Sequence, residues 1–116
     1  MDRTLRIENA ALFALGLAAF GTLGLSWWWF AALILTPDVS MLGYLFGPKI
    51  GARLYNLFHH LAVAVLVAAV GWLTGLLALQ VVGVILFTHS NMDRTVGYGL
   101  KHPDDFRHTH LGWIGE

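Results

Sequence analysis

The sequence has no cysteine and few charged residues, and both absences narrow what the protein can be. Without cysteine, disulfide bonds, thiolate zinc sites, iron–sulfur clusters and cysteine nucleophiles are excluded. Asp, Glu, Lys and Arg make up 12% of the 116 residues, about half the share of a typical soluble domain. Seven basic and seven acidic residues cancel, which argues against nucleic acid as a partner. Hydrophobic residues reach 57%, so the composition predicts a membrane protein.

Charged residues are missing altogether from two long segments. Residues 9–37 and 54–92 contain no Asp, Glu, Lys or Arg. A bilayer core of roughly 30 Å is crossed by about 20 helical residues, so each gap is long enough for a helical hairpin. Barrel strands are excluded because these gaps lack their alternating pattern. We therefore expect an all-α, four-transmembrane-helix bundle that forms a single integral membrane domain over residues 1–116.

Tryptophan and glycine clusters mark the turns of these two hairpins. Gly24 precedes three tryptophans at residues 27–29, and indole side chains favour the lipid interface. Residues 71–75 combine flexible residues with another tryptophan inside the second gap. We expect the second helix to be broken at Pro37, because proline removes a helical hydrogen bond. The four helices are predicted at about residues 7–23, 27–46, 51–70 and 76–100, with a polar tail over residues 101–116.

Basic residues predict the orientation of this bundle. Every one of them falls on the side where both chain ends lie, and the opposite loops carry none. They are Arg3, Arg6, Lys49, Arg53, Arg94, Lys101 and Arg107. Because cytoplasmic loops are enriched in Lys and Arg, we expect the N and C termini in the cytoplasm and the protein in the cytoplasmic (inner) membrane.

Ionisable side chains inside the predicted spans point to a functional site, because such groups are costly in lipid unless they are paired or hydrated. His89 and Asp93 are four residues apart and therefore share a helix face. Antiparallel packing of the third and fourth helices would bring His59 close to them, and Asp38 could approach from the second helix. Two imidazoles and two carboxylates suit a divalent zinc, iron or manganese ion. We predict Asp38, His59, His89 and Asp93 as metal ligands.

Two neighbours of His59 are interpreted together with this site. Asn56 lies one turn before His59 and is predicted to support that ligand in the second shell. His60 points about 100° away from His59 around a helix, so only one of this pair is predicted as a ligand. A structural alternative stays open, in which the same polar side chains only form hydrogen bonds between helices and fix their packing.

Residues at the end of the fourth helix and in the tail suggest how a substrate would be bound. Arg94 and Lys101 are predicted to hold an anionic headgroup or a phosphate. His110 or Tyr98 is predicted to transfer protons in catalysis. Arg94 could instead pair with a neighbouring carboxylate. Three further histidines have no assigned role: His60, His102 and His108.

Several segments together resemble a family of small bacterial four-helix membrane proteins known as a domain of unknown function, DUF4260. The segments are PDVSMLGY at residues 37–44, YNLFH at 55–59, DRTVGYGLK at 93–101 and THLG at 109–112. The likeness covers nearly the whole chain. It implies a polar signature at Asp38, Asn56, His59, His89, Asp93, Arg94, Tyr98, Lys101 and His110. It implies no particular activity.

A fainter similarity links the chain to membrane-bound metal-dependent hydrolases. It rests on a Pro-Asp element, here Pro37 and Asp38, and on a Thr-His-Ser element at residues 88–90. The His-Arg pairing that precedes the second element in those proteins is missing here. The similarity implies hydrolysis only by analogy between sites.

Two functions are consistent with these features. The first is a metal-dependent hydrolase that acts on a lipid-like substrate near the cytoplasmic leaflet. The second is a non-catalytic accessory subunit that binds a larger membrane protein complex, or a second copy of itself, and whose polar cluster is structural. Transport of metal ions or protons is less favoured, because the outer half of the predicted bundle has no ionisable residue. The lipid bilayer is a partner in each case, and the choice between enzyme and subunit stays open.

Overall fold

The computed structural model describes residues 3–101 and 107–114, without the side chains of His108 and Trp113. Within these residues the chain forms five α-helices and one 3₁₀ helix. The α-helices are α1 (Arg3–Thr22), α2 (Trp27–Leu33), α3 (Pro48–His59), α4 (Leu61–Thr74) and α5 (Leu77–Thr95), and the 3₁₀ helix is Thr36–Phe46. Two strands of two residues each, β1 (His108–Thr109) and β2 (Gly112–Trp113), pair antiparallel. The all-α prediction is confirmed apart from this short hairpin.

Helix α5 lies at the centre and packs against both α1 and α4. Small residues allow the close approach. A Cβ atom at Gly16 of α1 would overlap the side chain of Thr88, and a Cβ atom at Gly83 would overlap the backbone of Ala68 in α4. The apolar core between α1 and α5 centres on Phe20, which is fully buried. Close contact between helix backbones is typical of helix packing in membranes.

The second predicted helix is interrupted just before Pro37. Helix α2 ends at Leu33 and the 3₁₀ helix begins at Thr36. Proline has no N–H group and disfavours the α conformation of the residue before it. The hydroxyl of Thr36 donates a hydrogen bond to the Leu33 carbonyl at 2.6 Å, and the Asp38 N–H bonds the Leu35 carbonyl at 3.1 Å in place of the Ile34 carbonyl. The carbonyl of Ile34 is therefore available to a side chain.

The prediction of one continuous third helix over residues 51–70 was wrong. The chain forms two helices here, α3 and α4, which are bent by 44° where they meet. His60 between them is extended, with φ of −83° and ψ of 124°. Its Nδ1 atom accepts a hydrogen bond from the Ala62 N–H at 3.1 Å. His60 thus caps the start of α4, a role in which a polar side chain replaces missing helical hydrogen bonds.

Helix α5 ends at Thr95, several residues before the predicted end near residue 100. Gly97 adopts a φ of 100°, which residues with a side chain rarely adopt. The N–H of Tyr98 donates to the Asp93 carbonyl at 2.7 Å, and the N–H of Gly97 donates to the Arg94 carbonyl at 3.2 Å. This pair of hydrogen bonds is the Schellman motif that closes many helices. It turns the chain so that the next residues reach α3.

One helical segment of the described residues is long enough and apolar enough to cross a membrane. This segment is Trp27–Phe46, which comprises α2 and the 3₁₀ helix. The bent pair of α3 and α4 passes the same criterion when it is taken as one span. The four-span bundle and the cytoplasmic location of both termini stay predictions.

Candidate metal site

Four side chains from three segments meet at one point, and they are the four that the sequence predicts as metal ligands. Asp38 lies in the first turn of the 3₁₀ helix, His59 is the last residue of α3, and His89 and Asp93 lie one turn apart on α5. One ligand atom from each residue lies within 4.8 Å of every other. His59 and His89 are 3% and 0% exposed, whereas the Asp38 side chain is 39% exposed.

The imidazole Nε2 atoms face the carboxylate oxygens at short distances. His59 Nε2 lies 3.3 Å from Asp38 Oδ1 and 3.4 Å from Asp93 Oδ2. His89 Nε2 lies 3.0 Å from Asp38 Oδ1 and 3.2 Å from Asp93 Oδ2. In a tetrahedral site with metal–ligand bonds of about 2.0–2.1 Å, neighbouring ligand atoms lie about 3.3 Å apart. The four nitrogen–oxygen distances are therefore compatible with ligands that share one divalent ion.

Backbone carbonyls fix the orientation of both imidazoles. His59 Nδ1 lies 2.8 Å from the Tyr55 carbonyl oxygen, and His89 Nδ1 bonds the Ile34 carbonyl oxygen. A carbonyl oxygen only accepts, so each Nδ1 carries a hydrogen and, in the neutral ring, each Nε2 presents its lone pair. The break before Pro37 leaves the Ile34 carbonyl without a helical hydrogen bond from Asp38, so that it can accept one from His89. Both Nε2 atoms and both carboxylates thus face one point, and with deprotonated Nε2 atoms such a group could hold a metal ion.

Tyr55 belongs to this site, although the sequence analysis did not assign it a role. Its ring stacks on the His59 imidazole with centroids 3.7 Å apart and planes inclined by 5°. Its hydroxyl donates a hydrogen bond to Asp93 Oδ2 at 3.2 Å. Tyr55 thus orients one imidazole and one carboxylate together. Its position four residues before His59, on the same helix face, was the available signal.

A cavity of about 230 Å³ adjoins the four-residue cluster. Its lining residues are Met41, Tyr55, Asp93, Tyr98 and Lys101. The Lys101 ammonium lies 4.8 Å from the centroid of the Tyr55 ring and 5.8 Å from that of Tyr98. Burial lowers the pKa of Lys101 to about 8, against the opposing effect of the Asp93 and Asp38 carboxylates. Burial thus disfavours the charged form of Lys101, and the two carboxylates favour it.

Asn56 holds the backbone of Lys101 at the wall of this cavity. Its side-chain nitrogen donates to the Lys101 carbonyl at 2.8 Å, and its side-chain oxygen accepts from the Lys101 N–H at 2.5 Å. Lys101 also forms a backbone bridge with Thr109 of the terminal hairpin. The predicted contact of Asn56 with the His59 ring is replaced by the Tyr55 carbonyl. Asn56 instead links α3 to the segment after α5.

Two other predicted site residues are not among the residues that line this cavity. Arg94 donates a hydrogen bond to the His59 carbonyl at 3.3 Å, which satisfies the last turn of α3. His110 is exposed, and its Nδ1 atom accepts from the Leu100 N–H at 2.7 Å. Their proposed parts in substrate binding and proton transfer stay predictions. His102 lies outside the described residues, as does the side chain of His108.

The fold and the site together define a class of protein: a helical protein with a buried cluster of two histidines and two aspartates. Comparison with known families narrows this class. A family model described as a domain of unknown function (DUF4260) matches residues 2–114. The chain belongs to this family, as its sequence motifs predicted. No curated protein and no solved structure matches the chain, so no relative supports the fainter similarity to hydrolases.

Proposed function

We propose that this protein is a small integral membrane metalloprotein whose four-residue cluster holds one divalent ion for the hydrolysis of a lipid-like substrate. The observation that carries the proposal is the convergence of Asp38, His59, His89 and Asp93 within 4.8 Å. Two imidazoles with fixed orientation and two carboxylates suit zinc, iron or manganese. The absence of sulfur ligands disfavours copper(I).

The distribution of polar and apolar side chains supports a membrane location. His89, Asn91, Thr88 and Ser90 are among the largest fully buried side chains of the described residues. In contrast, Trp28 is 84% exposed, Leu45 is 81% exposed and Leu73 is 87% exposed. A water-soluble fold rarely exposes large apolar patches, whereas lipid solvates them. We therefore propose that the bilayer covers these surfaces, with the cluster near the cytoplasmic leaflet.

The chemistry proposed for the site is that of a Lewis acid. A divalent ion bound there would polarise an ester or phosphoryl oxygen or make a bound water more acidic. The residues of this chain supply the surroundings. Tyr55 keeps the Asp93 carboxylate in place, and His59 and His89 exclude water from the buried side of the cluster. The partly exposed Asp38 and the adjoining cavity give access from the other side.

Elemental analysis of the protein purified in detergent tests the proposal. We expect about one equivalent of a divalent metal in the wild type and loss of that metal in Asp38→Ala and His89→Ala, because each variant removes one of four ligands. His60→Ala is the matched control, since His60 lies next to a ligand but caps α4. It should retain its metal. Hydrolysis of a lipid ester or phosphoester by the wild type should then be abolished by a chelator.

A second candidate function is a non-catalytic subunit of a larger membrane complex. The contacts between the imidazoles and carboxylates, at 3.0–3.4 Å, also suit ion pairs that fix helix packing. The exposed apolar surface would then bind a partner protein or a second copy of the chain. A wild-type protein that folds without metal, and that is destabilised by His89→Ala, would favour this function over the first.

A further inference from the structure

We infer that the cavity beside the metal cluster is a binding subsite for a phosphoryl group, with the Lys101 ammonium as its cationic contact. The inference rests on the proposed metal site and names the chemical class of its substrate. It assigns the subsite to the cavity lined by Tyr98 and Lys101 and separates it from Arg94, which bonds the end of α3. The phosphoryl group would belong to a phosphate monoester, either a lipid headgroup or a soluble phosphate compound.

The placement of Lys101 is the first argument. Lys101 is only 4% exposed, although lysine is rarely buried in folded proteins. Its position does not depend on its side chain, because Asn56 and Thr109 hold its backbone. The fold therefore brings a cation to the wall of a cavity that also contains Asp93, one of the four predicted ligands. A ligand in this cavity would touch both the metal cluster and the lysine.

The balance of charge is the second argument. Two carboxylates and two neutral imidazoles around a divalent ion have no net charge. Lys101 then leaves the combined site with one positive charge, which an anionic ligand complements. Without the ion, the two carboxylates repel an anion. Binding of the phosphoryl group should therefore require both the metal and Lys101.

The chemistry of the donors is the third argument. Lysine binds phosphate as a point charge, and an ammonium group beside a metal ion stabilises the charge that is spread over phosphoryl oxygens. An uncharged carboxylic ester gains less from a full positive charge in its ground state. The ring of Tyr98, which is 42% exposed, lies at the same cavity and leaves it open to the organic part of a phosphate monoester.

Phosphate binding to the metal-loaded protein in detergent tests this inference. The probe is inorganic phosphate, measured by isothermal titration calorimetry. We expect Lys101→Met to weaken phosphate binding at least tenfold while the metal content is unchanged, and Lys101→Arg to recover most of it. Lys49→Met is the matched control, because Lys49 is exposed at the start of α3 and is not among the residues that line the cavity. It should bind phosphate as the wild type does.

The outcomes separate this inference from the proposed function. If Lys101→Met retains the metal and binds phosphate as tightly as the wild type, the phosphoryl subsite is overturned and the metal site stands. If the wild type binds no metal, both are overturned. If Asp93→Asn lacks the metal but still binds phosphate through Lys101, the shared site is overturned, because the anion then does not need the ion.

Two sources of the phosphoryl group can be distinguished in vesicles. The metal-loaded protein is reconstituted in phosphatidylcholine with or without phosphatidic acid, and phosphate binding is measured again. Weaker phosphate binding in the presence of phosphatidic acid, seen in the wild type and lost in Lys101→Met, supports a lipid headgroup as the ligand. Equal binding in both vesicles, still dependent on Lys101, supports a soluble phosphate monoester.

Discussion

Tyr55 contacts two predicted metal ligands, and its side chain has two separable effects. The stacked ring restricts the His59 imidazole, and the hydroxyl donates to the Asp93 carboxylate. Partners of this kind set the orientation and basicity of metal ligands. Tyr55 is also part of the cavity wall beside Lys101. A single residue thus connects the His/Asp cluster with the proposed phosphoryl subsite.

Substitution of Tyr55 measures these effects separately. Tyr55→Phe keeps the ring and removes the hydroxyl, so we expect metal affinity to fall by about 10–100-fold, as for other residues that support ligands. Tyr55→Leu removes both contacts and should lower the metal affinity further. Competition with a chromophoric chelator measures the affinity. Equal affinity in Tyr55→Phe and wild type would show that the hydrogen bond to Asp93 does not support the metal.

The break between α2 and the 3₁₀ helix connects local backbone chemistry to the site. Pro37 prevents a regular helix, so the N–H of Asp38 bonds to Leu35 and not to Ile34. The Ile34 carbonyl then receives His89 Nδ1. The same break places Asp38 in the first 3₁₀ turn, where it faces both imidazoles. One proline therefore positions a carboxylate and orients a histidine.

Pro37→Ala tests the role of this break. Alanine restores an N–H group and permits a continuous α-helix in which the Asp38 N–H competes for the Ile34 carbonyl. We expect more helix by circular dichroism and a metal affinity at least tenfold weaker, because the support of His89 is lost. Pro48→Ala is the control, since Pro48 lies in the first turn of α3, where a missing N–H costs nothing. Unchanged metal affinity in Pro37→Ala would contradict this account.

Most of the largest fully buried side chains of the described residues are polar, and many large apolar side chains are exposed. Helix α5 carries four consecutive buried polar residues, at positions 88–91, and packs against α1 and α4. This arrangement is stable when hydrocarbon surrounds the exposed apolar side chains, because buried polar groups then avoid lipid. The proposed orientation follows from the sequence, in which the basic residues are absent from the two segments predicted to be outer loops.

The absence of cysteine makes that orientation directly measurable, because any introduced thiol is the only one in the chain. We expect Thr74→Cys, at the end of α4, to react with a membrane-impermeant maleimide in intact bacterial spheroplasts. Lys49→Cys, at the start of α3, should react only after the membrane is permeabilised. The reverse labelling pattern would indicate the opposite topology. Equal labelling of both positions in intact spheroplasts would contradict a membrane-spanning bundle.

The local sequence was sufficient for the helical class, for the break at Pro37 and for the four members of the His/Asp cluster. Hydropathy determines where helices form, and ionisable residues in apolar helices must meet because isolated ones are too costly. Helical periodicity also indicated that only one of His59 and His60 is a ligand, since neighbouring residues on a helix face different directions. These features depend on composition and helical periodicity, which a sequence displays directly.

Other features were decided only by the tertiary structure, because they depend on backbone groups and distant partners. The chain bends at His60, because His59 belongs to the His/Asp cluster and His60 caps the start of α4. The carbonyls that orient both imidazoles, and the Asn56 amide that holds Lys101, leave no mark in hydropathy or spacing. The sequence by itself determined an all-helical chain and which residues form its polar cluster. The packing of α3, α5 and the segment after α5 decided which atoms face each other, since that choice is made by long-range contacts.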